Sequence, residues 1–379
     1  MDKAIARRLK EAMDEHGFDA LVAYSQENIA YGIGYTIPSQ ALGERNRQFA
    51  LVVSRDGGAV LVLTENESEE AAARSAVHEL RPYDEFADDP MGVLADALVD
   101  LGVASGRVGV EMDAMPADRW NALRSHAPRT RFEPAAHAFQ RARMVKTSTE
   151  LDRLREAARI GDIAQLEAHP HVCEGMSERE FYRLIVDRAL ANGAETVLLG
   201  QVAAGERSVL SNPAPTSRCL RRGDVVKVDI FVSADSYLCD TGRAVVVAEA
   251  TDKQRDIWRR MQETLSTMHE TIRPGVRADE VWHAFVKSFK THGMEPAIRF
   301  LGHGLGLSLH EEPFIADHSR TVLEAGMVLA IEPIYRDGDI GFHLEDNLIV
   351  TETGVENMTG RIGAELVVVG SSDPPRVGA

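Results

Sequence analysis

The chain has 379 residues, of which 44% are hydrophobic and 27% are charged, so it is long and apolar enough for two globular domains. Its formal net charge is −17, from 59 Asp and Glu against 42 Lys and Arg. This acidic balance argues against nucleic acid or an anionic membrane as a partner and is compatible with cation binding.

Neither the cysteines nor the N-terminus indicates export. The three cysteines form no Cys-x-x-Cys pair and are too few for a disulfide framework. Ile5, Leu9 and Met13 follow helical spacing among charges and do not form an uninterrupted apolar segment. No stretch has the roughly 18 apolar residues that cross a bilayer. We therefore expect a cytoplasmic protein with no membrane contact.

The first part of the chain alternates predicted strands and helices. Apolar runs predict strands at 20–24, 49–54, 59–63 and 107–111, and amphipathic segments predict helices at 91–101 and 116–125. This order predicts an α/β domain with a mixed sheet. No group of His, Cys or carboxylate side chains occurs there at ligand spacing, so we expect a structural or substrate-shaping role.

A connector is predicted at 134–146, and the domain boundary is placed near residue 140. A helix then begins at Thr147, where Glu150 completes a capping box. Beyond it, residues 174–195 align without gaps on residues 274–295, an offset of 100. Each copy has a Gly turn, an acidic helix start and a Gly cap. The pattern indicates a pseudo-twofold domain; chance resemblance of two amphipathic helices is the alternative.

Two apolar segments farther along each carry a carboxylate in the middle. Segment 225–232 contains Asp229, and segment 327–335 contains Glu332; both predict buried strands. An ionised carboxylate in such surroundings costs several kcal/mol unless a cation lies beside it. No Lys or Arg lies at the same depth in the second segment. Metal ions are the simplest compensating charge.

Three more candidate ligands lie nearby in the sequence. Asp240 follows Asp229 by eleven residues across a turn, which predicts neighbouring strands of one hairpin. His303 lies in the run Gly-His-Gly-Leu-Gly, and Glu345 lies in a predicted strand at 342–350 that would pair with the second apolar segment. Four carboxylates and one imidazole suit two divalent ions. Taken alone, each carboxylate could instead be a buried structural residue.

The order of these residues resembles that of the pita-bread metallohydrolases, which include methionine aminopeptidase, aminopeptidase P, prolidase and creatinase. The motifs that carry the resemblance are Asp-(11)-Asp, Gly-His-Gly-Leu-Gly-Leu-Ser-Leu-His-Glu-Glu-Pro, Ala-Ile-Glu-Pro and Leu-Glu-Asp. The preceding domain resembles the N-terminal domain of the creatinase and prolidase branch. The resemblance implies an α/β N-terminal domain over residues 1–140 and an α+β pseudo-twofold pita-bread catalytic domain over residues 141–379.

The resemblance also assigns five metal ligands, Asp229, Asp240, His303, Glu332 and Glu345. Asp229 and Asp240 would hold the first ion, and Asp240 and Glu345 would bridge. His303 and Glu332 would complete the second ion. Two divalent ions are expected, with manganese first and cobalt or zinc as alternatives.

The same resemblance implies a mechanism. A hydroxide shared by the two ions would attack an amide carbonyl and cleave a C–N bond. Glu332 would take the proton from the attacking water, and His310 would stabilise the tetrahedral intermediate. We therefore expect a metallohydrolase of the Xaa-Pro dipeptidase or aminopeptidase type.

The expected substrate pocket departs from the family pattern. Family peptidases have a His upstream of the first Asp ligand, where this chain has Asn212 and its neighbours. Arg299 replaces a pocket His of the proline-directed members, and His343 replaces an Arg of prolidase and aminopeptidase P. Arg299 could grip a small anionic amide; an ordinary surface residue in a salt bridge is the alternative. Arg47 resembles an Arg with which creatinase reaches a neighbouring subunit's site; a merely exposed role is the alternative.

These departures leave other functions open. A non-peptide hydrolase or lyase, similar to ectoine hydrolase or creatinase, is one alternative. A catalytically silent binding module is another. The expected partners are a small peptide or amide substrate and, by family resemblance, a second copy of the chain in a homodimer.

Overall fold

The computed structural model describes residues 1–43 and 46–370, which fall into two compact units, Met1–Arg143 and a second that begins at Met144. Both units combine helices and strands. The predicted α/β domain, followed by a domain of the α+β class, is present in the structure. None of the described helices is long and apolar enough to cross a membrane.

The first unit is built on one mixed sheet. Its helices are α1 Lys3–His16, α2 Gln26–Ile33, α3 Ser68–Arg74, α4 Pro90–Asp100, α5 Ala117–His126 and α6 Ala136–Met144. Its strands are β1 Ala20–Ala23, β2 Ala50–Ser54, β3 Ala59–Thr64, β4 Glu79–Tyr83, β5 Arg107–Val110 and β6 Arg131–Pro134. Among the described residues, the sheet order is β4-β3-β2-β1-β5-β6. Strand β1 runs antiparallel to β2 and parallel to β5, and Leu94 and Leu98 of α4 belong to the core on the sheet.

Three elements of this unit differ from the sequence-based expectation. Strands β4 and β6 lie at the two edges of the sheet and are partly exposed, so they lack the apolar run that predicts a buried strand. The predicted connector at 134–146 is wrong, because most of it forms α6. The Ala and Arg residues of segment 134–146 have high helix propensity, so the segment is helical although its apolar residues do not follow a strong helical repeat.

The second unit contains four long helices and three sheets within its described part. The helices are α7 Ser148–Ala168, α8 Glu178–Ala191, α9 Asp252–Thr271 and α10 Ala278–Thr291. The strands are β7 Thr196–Ala204, β8 Val225–Ala234, β9 Tyr237–Val247, β10 Phe300–Gly304, β11 Glu311–Ala316, β12 Val328–Ile331, β13 Ile334–Asp337, β14 Ile340–His343, β15 Asp346–Val350, β16 Val355–Asn357 and β17 Val367–Val369. Short 3-10 helices lie at Pro38–Leu42 and Glu65–Glu67 in the first unit and at His169–His171 and Gly205–Arg207 in the second.

The sheets of the second unit bring distant parts of the chain together. One sheet has the order β17-β9-β8-β7, another has the order β11-β10-β12-β15-β16, and β13 and β14 form a hairpin. Helix α7 begins with the predicted capping box of Thr147 and Glu150. Helices α9 and α10 contribute Trp258 and Phe285 to a core that also contains Leu329 of β12.

The internal repeat predicted at an offset of 100 is present in the structure. Helices α8 and α10 have the same length, and both their first and last residues differ by 100. Each is preceded and followed by a glycine with a positive φ angle, and each packs against the long helix before it. The repeat therefore corresponds to two copies of one helical unit.

The two strands predicted at 327–335 and 342–350 are each divided in the structure. Strand β12 ends before Glu332, and the chain turns away to form β13; β14 likewise ends at His343, and β15 begins at Asp346. Pro333 has no N–H to continue the ladder of β12, which explains the first break. The breaks leave Glu332 and Glu345 at the ends of paired strands β12 and β15.

A buried carboxylate anchors the segment that leads from β7 toward β8. Glu178, at the start of α8, is fully buried and accepts hydrogen bonds from the Ala204 and Thr216 backbone N–H groups at 2.9 Å each. The Arg207 Nε lies 3.1 Å from the same carboxylate. The segment between these contacts includes Ser211 and Asn212, so Glu178 holds that segment in place.

We expect Glu178→Ala to destabilise the second unit by about 3 to 5 kcal/mol, because it leaves Arg207 and two backbone donors without their partner. Urea denaturation followed by tryptophan fluorescence measures the loss. Glu352→Ala is the control, since Glu352 is exposed and should change stability by less than about 0.5 kcal/mol. Equal denaturation midpoints for the two variants would contradict the anchoring role.

Candidate metal centre

The first two candidate ligands lie on one hairpin, as the sequence predicts. Asp229 of β8 pairs with Gly242, and Asp240 of β9 pairs with Phe231, across a tight turn at Asp235 and Ser236. The two carboxylates are therefore diagonal neighbours on the same face of the sheet. Both are buried, with 5% and 3% of their surface exposed.

His303 is held between glycines on β10. A β-carbon on Gly302 would lie 2.0 Å from the carbonyl oxygen of Ala330, and one on Gly304 would lie 2.3 Å from that of Glu312. Only glycine permits this close packing of backbones on either side of the histidine. The Nδ1 of His303 donates to the carbonyl oxygen of Gly304 at 3.0 Å, which leaves Nε2 as the acceptor nitrogen.

The Nε2 of His303 is directed at two carboxylates. It lies 3.5 Å from Oδ2 of Asp240 and 3.7 Å from Oε1 of Glu332. Burial lowers the pKa of His303 to about 3, so the ring is neutral at physiological pH. A neutral imidazole with a free lone pair is the form that binds metal ions.

His343 lies inside the same cluster, which the sequence did not predict. Its Nδ1 is 3.8 Å from Oδ2 of Asp229, and its Nε2 is 3.4 Å from Oε2 of Glu332 and 3.7 Å from Oε2 of Glu345. Burial lowers its pKa well below the usual value. Gly242 permits this position, because a β-carbon there would lie 2.6 Å from the His343 ring.

The carboxylates of the cluster are strongly perturbed. Burial raises the pKa of Asp229 to about 6 and that of Glu332 to about 8. Burial, and then the charge of neighbouring carboxylates, raises the pKa values of Asp240 and Glu345 well above the usual range. Protein groups alone do not neutralise this concentration of negative charge.

The buried polar atoms fit a pair of divalent cations. Among the described residues, Oδ1 of Asp229, Nε2 of His303 and both carboxylate oxygens of Glu345 have no hydrogen-bond partner. Three groups of side chains can each direct ligand atoms within 4.8 Å of one another: Asp240, His303 and His310; Asp229, His343 and Glu345; and His303, Glu332 and Glu345. Unpaired buried oxygens and imidazole nitrogens are what a metal site requires.

A cavity of about 360 Å³ opens beside the cluster. Asp229, Asp240 and Glu332 line it on one side, and His310 lies against His303 with the ring centres 3.8 Å apart. Partial burial lowers the pKa of His310. The cavity is thus a space for a small molecule next to the candidate ligands.

The predicted substrate residues occupy different positions. Asn212 and His343 line the cavity, and Oδ1 of Asn212 accepts a hydrogen bond from Nε2 of Gln201 at 3.2 Å. Arg299 is exposed and does not line the cavity, although both of its chain neighbours do. Arg47 belongs to the first unit, where its Nε lies 2.8 Å from Glu85. Substrate roles for Arg299 and Arg47 stay predictions.

Two residues that line the cavity, Lys227 and Gln201, are not among the residues predicted from the sequence. Lys227 interrupts the same apolar strand as Asp229, two positions earlier and therefore on the same face. Gln201 lies directly opposite Asp229 on β7. A lysine at a buried strand position is as unusual as the aspartate, and the same argument could have found it.

We expect the protein stripped of metal to lose stability as pH rises from 6.5 to 9. A carboxyl group with a raised pKa keeps its proton in the folded state after the unfolded chain has lost it, so deprotonation favours unfolding. Glu345→Gln removes one such group and should raise the melting temperature at pH 8 by at least about 2 °C. Melting curves at several pH values measure both effects.

The matched control is Glu356→Gln. Arg155 lowers the pKa of Glu356, so this change should leave the slope above pH 6.5 unaltered. A melting temperature that is constant or rises from pH 6.5 to 9 would show that the buried carboxylates do not repel as the structure indicates.

Comparisons with known proteins identify the family of the chain. The family description "Metallopeptidase family M24" matches residues 152–352, and "Creatinase/Prolidase N-terminal domain" matches residues 6–145. The Xaa-Pro dipeptidase of Pyrococcus furiosus is 34% identical over 60% of this chain and 66% of its own length. The probable dipeptidase PepE of Mycobacterium tuberculosis is 32% identical over 89% of this chain and 90% of its own.

Solved structures show the same fold. The Xaa-Pro dipeptidase from Bacillus anthracis is 26% identical, with a TM-score of 0.84 over 96% of this chain and 99% of its own. The family resemblance and the enzyme class expected from the sequence are confirmed. The M24 match over more than half of the chain, together with the N-terminal match, shows that this chain belongs to metallopeptidase family M24, in its creatinase and prolidase branch, and is a metallohydrolase.

Proposed function

We propose that this enzyme hydrolyses the C–N bond of a small peptide or amide, with Xaa-Pro dipeptides as the first candidate substrates. The observation that carries the proposal is the convergence of Asp229, Asp240, His303, Glu332 and Glu345 beside a cavity of about 360 Å³. Enzymes of family M24 use a dinuclear site for divalent metals. Relatives named Xaa-Pro dipeptidase support the substrate class.

The five residues are proposed as the metal ligands. Asp229 and Asp240 would hold one ion, His303 and Glu332 the other, and Asp240 and Glu345 would bridge. His343 lies close enough to Asp229 and Glu345 to join this group. Manganese is proposed first, because a donor set rich in carboxylate oxygen suits it; cobalt and zinc are alternatives.

Bound divalent ions supply Lewis acidity, which polarises a carbonyl group and lowers the pKa of a water molecule. The chain contributes the proton transfers. Glu332 lines the cavity, so as an ionised ligand its carboxylate would be placed to take a proton from a nucleophilic water. His310 lies in the cavity and is neutral, so its N–H can donate to the oxyanion of the tetrahedral intermediate.

A non-peptide amide is the second candidate substrate. Asn212 occupies the region where peptidases of the family have a His, and its Oδ1 is already bonded to Gln201. His343 replaces an Arg and is directed at the carboxylates of the cluster. A pocket changed at these positions supports a compound other than an Xaa-Pro peptide, and a lyase reaction belongs to this alternative.

A cytoplasmic homodimer is also part of the proposal. Three cysteines without a disulfide and the resemblance to the creatinase branch support it.

Protein loaded with manganese should hold two ions per chain and hydrolyse at least one member of a panel of Ala-Pro, Gly-Pro and N-acetylated amino acids. EDTA should abolish the turnover. Elemental analysis and amine release measure the two quantities. Turnover restricted to the acetylated amino acids would favour the second candidate. A chain with neither stoichiometric metal nor chelator-sensitive turnover would be a silent binding module.

Two variants separate the roles of Glu332 and His310. Glu332→Ala should abolish turnover and reduce bound metal, since this carboxylate is both a ligand and a proton acceptor. His310→Ala should keep two ions and lower kcat by about 100-fold or more, as expected for loss of an oxyanion donor. Full activity in either variant, or loss of metal in His310→Ala, would contradict the assignment.

A further inference from the structure

The ammonium group of Lys227 lies in the cavity beside the proposed metal ligands. Lys227 is only 4% exposed and lines the cavity, on the same strand face as Asp229. Its Nζ donates one hydrogen bond, to the carbonyl oxygen of Ser211 at 2.7 Å. An ammonium group has three donors, so two are left for a ligand in the cavity.

Lys227 has no ion-pair partner among the described residues. In the described ranges 1–43 and 46–370, no carboxylate lies within salt-bridge distance of Lys227, although the carboxylates of the cluster attract it from farther away. The acidic residues that line the cavity are Asp229, Asp240 and Glu332, and all three are proposed metal ligands. A buried charge without a partner is costly, so its presence needs a reason.

The charge balance of the loaded site supplies the reason. Four carboxylates carry a charge of about −4, which two divalent ions neutralise. The positive charge of Lys227 is then left over, and Arg336 at the cavity adds another. The loaded cavity therefore attracts an anionic group of the substrate to the position next to Lys227.

The spacing limits where that anionic group lies in the substrate. Residues two apart on a strand are separated by about 7 Å. Lys227 can therefore contact a substrate group that is only a few bonds away from the substrate atom next to Asp229. The carboxylate of an α-amino acid is separated from its nitrogen by a single carbon atom. An amide whose leaving amine is an α-amino acid thus places its carbonyl by the ligands and its carboxylate by Lys227.

We infer that Lys227 binds the α-carboxylate on the amine side of the scissile bond and restricts the enzyme to amides of free α-amino acids. This inference rests on the proposed function and deepens it. Two substrate sources share the chemistry, a dipeptide and an N-acyl amino acid. A hydrogen bond to Ser211 alone would not require a charged side chain, so a purely structural role leaves the buried charge unexplained.

Substrates that differ only in the carboxylate test the inference. One pair is alanylproline and alanylprolinamide; the other is N-acetylalanine and N-acetylalaninamide. In whichever pair is hydrolysed, the manganese-loaded wild type should favour the acid at least tenfold in kcat/KM. Lys227→Met should collapse this ratio, mainly through KM, and Lys227→Arg should restore part of it. The pair that reacts identifies the source.

Binding provides a readout that does not depend on turnover. The ligands for calorimetry are proline and alanine, the amine-side products of the two pairs. At least one of them should bind to the manganese-loaded wild type with a Kd at least tenfold lower than its Kd for manganese-loaded Lys227→Met. Both proteins should hold two ions per chain. Lys287→Met is the matched control, because Lys287 is exposed on α10 and should leave both the acid preference and product binding unaltered.

The outcomes separate the inference from the proposed function. Equal kcat/KM values of the wild type for the acid and the amide would overturn the inference. This comparison uses only the wild type, so it remains decisive even when Lys227→Met fails to fold. Collapse of the ratio in Arg299→Met, but not in Lys227→Met, would assign the anion to Arg299 and also overturn it. Lys227-dependent product binding without hydrolysis of either pair would support the inference while the proposed function fails. Neither hydrolysis nor Lys227-dependent binding would overturn both.

Discussion

Repulsion between four buried carboxylates is the constraint on which the second unit depends. Burial raises the pKa of Glu332 to about 8, and neighbouring negative charge acts on Asp240 and Glu345 as well. Such a cluster is stable only when protons or cations neutralise it. The two histidines of the cluster, His303 and His343, do not help, because burial keeps both neutral. The fold is therefore arranged around a charge that its own side chains leave uncompensated.

The surrounding structure holds these groups together against their repulsion. Arg243 donates to the carbonyl oxygen of Glu345 and pairs with Asp346 at 2.5 Å, which fixes the start of β15. Asn347 accepts a hydrogen bond from the backbone N–H of Asp240 at 3.1 Å and so ties β15 to β9. These contacts involve backbone groups of the candidate ligands and leave their carboxylate oxygens available. The scaffold fixes positions, while a cation is left to supply the neutralising charge.

The cavity combines this negative cluster with positive charge at Lys227. Lys227 is attracted to the carboxylates and lines the cavity beside them; in a loaded site it would face the substrate. The same strand thus presents a candidate metal ligand, Asp229, and a buried lysine, Lys227, on one face, two residues apart. Because side chains alternate along β8, Asp229 and Lys227 lie on the same face. One would lie near the scissile bond and the other near the substrate carboxylate beside it.

The sequence by itself determined the two-domain organisation and the repeat at an offset of 100. It also indicated the candidate ligands: Asp229 and Glu332 interrupt apolar runs, His303 lies in a glycine-rich motif, and the order of all five resembles that of a known family. The sequence did not predict the edge strands β4 and β6, because partly exposed strands lack the continuous apolar run that identifies a buried strand. Only the tertiary structure decided that His343 lies among the candidate ligands, that Lys227 lines the cavity and that Arg299 does not. The position of His343 depends on the point where the chain leaves the sheet, at Glu332 and Pro333. Which side chains then meet is set by packing between strands that are far apart in the sequence, so no local pattern shows it.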